Sequence, residues 1–307
     1  MPGASPASPS LHRRGRRGRL LIVGCGDVGM RVLRQLAGRW TVFALTSSAA
    51  RVDELRAAGA IPLIGNLDDA ASLGRLAGLA DRVLHLAPPA PQGRSDGRTR
   101  RLLQALSRSA PPAHLVYAST SGVYGDCGGA RIDETRRVNP SNDRAWRRVD
   151  AEDQLRQWGR ATGAPVTILR VPGIYAFDRD GGHPRERLGK GLPVLAREDD
   201  VYTNHIQADD LARACVLALV RGPTQRILPV SDDSELLMGD YFELAASLCG
   251  LAPPARVARA EAPGVFTPMQ MSFMNESRRM DNRRLRRELR LRLRYPTPRD
   301  GLLAVEG

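Results

Sequence analysis

The sequence predicts an α/β fold, a doubly wound parallel sheet followed by a smaller C-terminal lobe. Three observations carry that prediction. The apolar run Leu20, Leu21, Ile22, Val23 breaks into Gly24, Cys25, Gly26, Asp27, Val28, Gly29, the G-x-G-x-x-G spacing of a Rossmann-type strand-to-helix turn. Short leucine-rich or β-branched runs then alternate with helical stretches, as expected when helices cover both faces of a parallel sheet. The chain has 307 residues, 42% of them hydrophobic, enough to bury one large core with an added lobe.

The first strand is the run at 20–23, and an amphipathic helix follows from about Asp27 through Val28, Val32, Leu33 and Leu36. Gly24 permits a tight turn off the strand, Gly26 removes the Cβ that would meet a phosphate, and Gly29 lets the helix lie close to the strand. The free N–H groups at the helix start, with a macrodipole of roughly half a positive charge, make an anion site there. Gly24, Cys25, Gly26, Asp27, Val28 and Gly29 are therefore expected to hold a dinucleotide pyrophosphate; the alternative is a purely structural turn. Next come a strand at 41–46, a helix at 51–58, a strand at 61–64, a helix at 69–76 and a strand at 82–87. A helix at 99–107 leads to a strand at 114–120, and a long helix from about 143 to 160 leads to a strand at 166–171. Six strands result, the number in a complete dinucleotide-binding sheet.

The Pro- and Gly-rich stretch 172–193 departs from this alternation, a helix at 209–220 returns to it, and short elements mix from about 227 onward. The expected organisation is a nucleotide-binding unit of residues 19–172 and 206–225, with a substrate lobe of 173–205 and 226–307. Residues 1–18 read as a disordered basic tail on a cytoplasmic protein. A secretory leader would be cleaved away, whereas the apolar residues here carry the first strand. No apolar run approaches the roughly 20 residues of a membrane span. Cys25, Cys127, Cys215 and Cys249 lie far apart with no C-x-x-C pair, so neither a disulfide framework nor a metal site is indicated.

Net charge is +13, and Lys190 is the only lysine. Arginine-biased coding with solvated charges accounts for this; an acidic partner for the cluster from Arg278 to Arg294 is the sharper alternative. Aromatic residues are 5% of the chain and none interleaves with that cluster to stack on bases, so no specific nucleic-acid partner is expected. At the end of the second strand, where an acid would meet a free ribose 2′-hydroxyl, the chain offers Thr46, Ser47 and Ser48, then Arg51. Hydroxyls and a guanidinium suit a 2′-phosphate. NADP is thus expected over NAD, unless Ser48 merely caps the next helix.

Further segments resemble the extended short-chain dehydrogenases/reductases, the NAD-dependent epimerase/dehydratase group. They are Gly65-Asn66-Leu67-Asp68, Leu84-His85-Leu86-Ala87, Ser119-Thr120-Ser121-Gly122-Val123-Tyr124-Gly125, Leu169-Arg170-Val171-Pro172-Gly173-Ile174-Tyr175, Asn204-His205-Ile206-Gln207-Ala208-Asp209-Asp210, and the stretch 281–297. The resemblance implies that Asn66 and Leu67 touch adenine, that Leu86, Ala87, Pro88 and Pro172 border the cofactor, and that the protein pairs into a homodimer through the helices after the fourth and fifth strands. It also implies a tyrosine and, four residues on, a lysine as the proton-transfer pair. Counting back from Glu152, which matches a glutamate eight residues after that tyrosine, those positions hold Arg144 and Arg148. A guanidinium stays protonated at neutral pH and cannot act as a base. The chain contains no Tyr-x-x-x-Lys at all.

Thr120 stands at the family's catalytic Ser/Thr position, Arg148 remains available to the ribose, and Tyr124 and His205 are the candidate proton carriers. For both of the latter a structural role is the plainer reading, as solvation is for Asp126 and Glu134. The expectation is an oxidoreductase or epimerase/dehydratase-like enzyme with atypical catalytic residues, acting on a small carbonyl or nucleotide-sugar-like substrate. The alternative is a non-catalytic NADP sensor or binding module.

Overall fold

In the computed structural model, which describes residues 17–303, the first strand β1 (Gly18–Val23) is buried on both sides. Leu20 and Ile22 enter one apolar cluster, Leu21 and Val23 the other, because successive side chains of a strand point to opposite faces. A strand covered on both faces belongs at the centre of a parallel sheet. Around it lie β2 (Trp40–Thr46), β3 (Ile61–Ile64), β4 (Arg82–His85), β5 (His114–Thr120), β6 (Val166–Val171) and β7 (Arg226–Pro229), in the order β7-β6-β5-β4-β1-β2-β3. Every pairing is parallel.

The crossovers are α1 (Asp27–Leu36), α2 (Val52–Ala57), α3 (Gly97–Leu106), α4 (Asp143–Thr162) and α5 (Ala208–Arg221). α1 packs with α5, and α3 packs with α4; their apolar residues fall in the two different clusters, one on each face of the sheet. Asn142 starts α4 by accepting the N–H of Ala145, and Gly163 ends it at φ 73°. The strand order reverses between β1 and β4, which opens a crevice beyond their carboxyl ends, where open α/β sheets bind ligands.

The sheet has seven strands, not the expected six. Arg226–Pro229, expected in the smaller lobe, pairs with β6 as the edge strand. An edge is where a strand tolerates proline, since the missing N–H faces no neighbour. The helix expected at 69–76 is a 3₁₀ turn, Ala70–Leu76, started by the Asp69 side chain. Within 172–193, Gly173–Tyr175 pairs in parallel with His205–Gln207, and Arg185–Gly189 is a short helix. Leu285, Leu289 and Leu291 fold back into the core on the α1 side.

Of the expected tail, residues 1–16 lie outside the described residues, and Gly18 already begins β1. Among the described residues no helix is long and apolar enough to cross a membrane, and no cluster of His, Cys, Asp or Glu could hold a metal ion. The first part of the basic stretch near the C-terminus is partnered: Arg278 with Glu276, Arg279 with Glu235, Arg283 with Asp281, Arg284 with Glu134 and Glu288, and Arg286 with Asp233.

Candidate active site

The turn after β1 is shaped by what its glycines lack. Gly24 has φ +86°, and a Cβ there would lie 2.5 Å from the backbone N of Ala87. The chain leaving β4 comes this close because the N–H groups of Leu86 and Ala87 both donate to the carbonyl of Val23. A Cβ on Gly26 would meet nothing within 4 Å, and one on Gly29 would lie 3.0 Å from Cys25 Sγ. Gly26 begins α1 without a side-chain cap, so the amino end of that helix faces open space. Asp27, at the first helical position, already has cationic partners. Its Oδ1 accepts from Arg31 Nε at 3.0 Å and its Oδ2 from Arg179 Nη1 at 2.6 Å. Arg31 is buried and also pairs with Asp178 and Asp209; burial works against its charge, and the three carboxylates more than restore it, raising its pKa.

At the end of β2, Thr46 Oγ1 accepts the N–H of Ser48, while Ser47 is exposed. Ser48 precedes the short 3₁₀ turn Ala49–Arg51 but makes no side-chain cap, so capping does not occupy its hydroxyl. Arg51 reaches back to the glycine turn, its Nη1 donating to the carbonyl of Cys25 at 2.7 Å. Its other two donors grip Glu54 at 2.9 and 3.0 Å. After β3, the side chain of Asn66 is exposed and accepts the N–H of Asp68, while Leu67 is buried.

A cleft of about 540 Å³ lies beyond β5, walled by the start of α4, by residues 172–174 and 202–204, and by residues 273–278. Thr120 lines it, half-buried, with Oγ1 accepting the N–H of Gly122 at 3.2 Å. Arg148 lines it too; its Nη1 donates to Tyr117 Oη and to the carbonyl of Ala118, each at 2.9 Å. Arg144 stands one turn earlier, its guanidinium 4.8 Å from the Phe273 ring centroid. Pro88 and Pro172, which the resemblance places beside the cofactor, line this cleft as well.

Two candidates do not reach the cleft. Tyr124 is 1% exposed, under the Arg170 guanidinium at 4.6 Å, and burial pushes its pKa up. Arg170 is itself held by Glu152, whose Oε1 also accepts from Ser119 Oγ. Tyr124 therefore belongs to a buried structural network. His205 stacks on Tyr241 with ring centroids 3.9 Å apart, and burial drives its pKa down to about 3. It is a neutral core ring behind the cleft wall and cannot serve as a titrating acid there. Asp126 accepts the N–H groups of Ser277 and Gly128, and Glu134 pairs with Arg284; neither lines the cleft.

Sequence reasoning missed Tyr202, Asn204, Glu276 and Arg278, all on the cleft wall. Asn204 bridges to Arg278 and Met280 backbone, and Arg278 binds Glu276 and the Gly125 carbonyl. Asn204 was within reach, one residue before the histidine in a segment already singled out.

The description "NAD dependent epimerase/dehydratase family" matches residues 20–230. No curated protein matches the sequence. Among solved structures, a functionally unknown conserved protein from Silicibacter pomeroyi is 30% identical, with a TM-score of 0.77 over 93% of this chain and 96% of that one. A nucleoside-diphosphate-sugar epimerase from Pseudomonas aeruginosa is 20% identical, with a TM-score of 0.76 over 94% and 95% of the two chains. A dTDP-glucose 4,6-dehydratase from Streptomyces venezuelae, a double mutant with NAD bound, is 23% identical, with a TM-score of 0.73 over 92% and 94%. The last two likenesses concern the fold.

Proposed function

The chain belongs to the NAD dependent epimerase/dehydratase family, and from that premise we propose that it binds NADP in preference to NAD and acts on a small carbonyl or nucleotide-sugar-like substrate beside Thr120. The observation that carries this reading is the contrast within the glycine turn. Gly24 is locked against Ala87, whereas the space a Cβ of Gly26 would fill is open. The residues fit a dinucleotide. The main chain from Gly24 to Gly29 takes the pyrophosphate. Thr46 and Ser47 with Arg51, held at the turn by Cys25 O, take a ribose 2′-phosphate. Asn66 and Leu67 flank adenine, and Leu86, Ala87, Pro88, Arg148 and Pro172 flank the other end.

When bound, the nicotinamide supplies hydride transfer. Thr120 has its oxygen occupied by the Gly122 N–H, which leaves the hydroxyl proton for a substrate oxygen on which charge develops. Arg144 and Arg148 carry fixed positive charge and cannot move a proton at neutral pH. Proton transfer falls to a titratable side chain on the cleft wall, and the phenol of Tyr202 is the residue type that suits it.

Calorimetric titration tests the binding half. NADP⁺ is expected to bind more tightly than NAD⁺; equal or reversed affinities overturn the roles of Ser47 and Arg51, and no binding of either at millimolar levels overturns the cofactor half of the reading and leaves the cleft to its own test. A carbonyl screen followed by NADPH absorbance tests the chemical half. Thr120→Ala should lower kcat by about 10²-fold, and unchanged turnover removes Thr120 from the mechanism. Binding without turnover favours the second reading, a cofactor sensor, which the two arginines at the proton-transfer positions support.

A further inference from the structure

Five guanidiniums line the cleft, those of Arg144, Arg147, Arg148, Arg179 and Arg278, against one carboxylate, that of Glu276. Two of the five are answered: Arg278 by Glu276 at 2.8 Å and Arg179 by Asp27 at 2.6 Å. The other three sit together at the start of α4 and have no carboxylate partner among the described residues. Arg147 donates to the carbonyl of Gly93. Arg148 spends Nη1 on Tyr117 and Ala118, and Arg144 lies over Phe273. The acids nearest to them along the helix are engaged elsewhere. Asp143 pairs with Arg94, and Asp150 accepts from the Asp96 N–H and from Gln154.

Like charges four residues apart on a helix repel, here between the exposed Arg144 and the half-buried Arg148. An anion entering the cleft relieves that repulsion and meets donors arranged in a fork, the geometry that pairs with carboxylate or phosphate oxygens. Arg144 still has its full fork, and Arg148 retains Nε and Nη2. The same wall carries the apolar side chains of Pro88, Pro172, Ile174, Met238 and Phe273, which suit a carbon body. The volume of about 540 Å³ is that of a small-molecule pocket.

We propose that the ligand of this cleft is an organic oxyanion, a carboxylate or phosphate monoester, whose charged group rests between Arg144 and Arg148 beside Thr120. Positions that would otherwise move a proton here fix a charge. The inference rests on this cleft being the substrate site.

The test uses the full chain without dinucleotide at low ionic strength, titrated with phenylacetate, phenyl phosphate and the neutral phenylacetamide. At least one anion should bind about tenfold more tightly than the amide, and the tighter one identifies the source of the oxyanion. R144Q and R148Q should each weaken that anion about fivefold or more, a loss of about 1 kcal/mol, and leave the amide unchanged. Equal binding of anions and amide, no anion binding at about 10 mM, or an unaffected double variant overturns the proposal. Melting temperature gives a readout independent of the probe. R144Q should raise it at about 0.01 M salt, where the screening length is about 30 Å, and not at about 1 M, where it is about 3 Å; a fall at both overturns the claim of unanswered charge. With no dinucleotide present, failure here leaves the NADP reading standing, and failure to bind NADP leaves this one standing.

Discussion

The turn after β1 and the opening of α4 both lie beyond the carboxyl ends of strands of the sheet, and they are specified in opposite ways. At the turn the main chain does the shaping, and each glycine matters through an atom it lacks: Gly24 clears Ala87, and Gly26 leaves a void. At α4 the backbone is an ordinary helix, and everything distinctive sits in side chains, Arg144, Arg147 and Arg148. The proposed cofactor cradle and the proposed substrate wall are thus encoded separately, and one can change while the other stays. α4 itself divides along the same line. Arg144, Arg147 and Arg148 in its first two turns line the cleft, whereas Glu152, one turn after Arg148, is an interior anchor for Arg170 and Ser119.

The largest expected effect breaks that anchor. Glu152→Ala would leave Arg170 charged and unpartnered where both side chains are 4% exposed, at a cost of about 3–5 kcal/mol in denaturant unfolding. A loss below about 1 kcal/mol would mean that α4 has no separate structural half. Next comes the contrast between two glycines. Gly24→Val places a branched side chain at φ +86° against backbone and should destabilise by roughly 3 kcal/mol or more. Gly26→Val should change stability by only about 0.5 kcal/mol while lowering dinucleotide affinity about a hundredfold by calorimetry. If the two variants behaved alike, the turn would be a structural joint and no cradle.

The smallest effect concerns His205. Its ring is neutral in the folded chain, with a pKa of about 3, but takes up a proton below its ordinary value of about 6.5 once unfolded. The stability it contributes is therefore present above pH 6.5 and lost as pH falls toward 3. His205→Phe should flatten the pH dependence of unfolding by about one proton between pH 6 and pH 4, near 1.4 kcal/mol per pH unit. His85 and His114, lowered by burial to about 3 and about 4, keep the remaining slope. A pH–rate profile that moved in this variant would return His205 to the cleft.

Much of the sheet was legible. β3, β5 and β6 match their sequence expectation residue for residue, because each is an apolar or β-branched run with breakers on both sides. β7 was not, since four residues ending in Pro229 show no periodicity and gain their place only by pairing with β6. At the cleft, Thr120, Arg148, Pro88 and Pro172 could be named because the family resemblance assigns a position to each in a segment local in sequence. Glu276 and Arg278 reach the same wall from more than a hundred residues away, a closure no local pattern contains. His205 and Asn204 show a subtler failure. They are neighbours in the chain, but successive side chains of an extended segment point opposite ways, so Asn204 meets the cleft and His205 the core.

Asp27 ties the glycine turn to the cleft wall through Arg179. Its carboxylate, at the first position of α1, already engages a cation of the cleft wall beside the turn proposed to take a phosphate. On the proposed reading, a dinucleotide phosphate at this turn would exchange one anionic partner of Arg179 for another instead of creating an ion pair from nothing. Affinity measured against ionic strength should accordingly fall less steeply than the number of nearby arginines suggests.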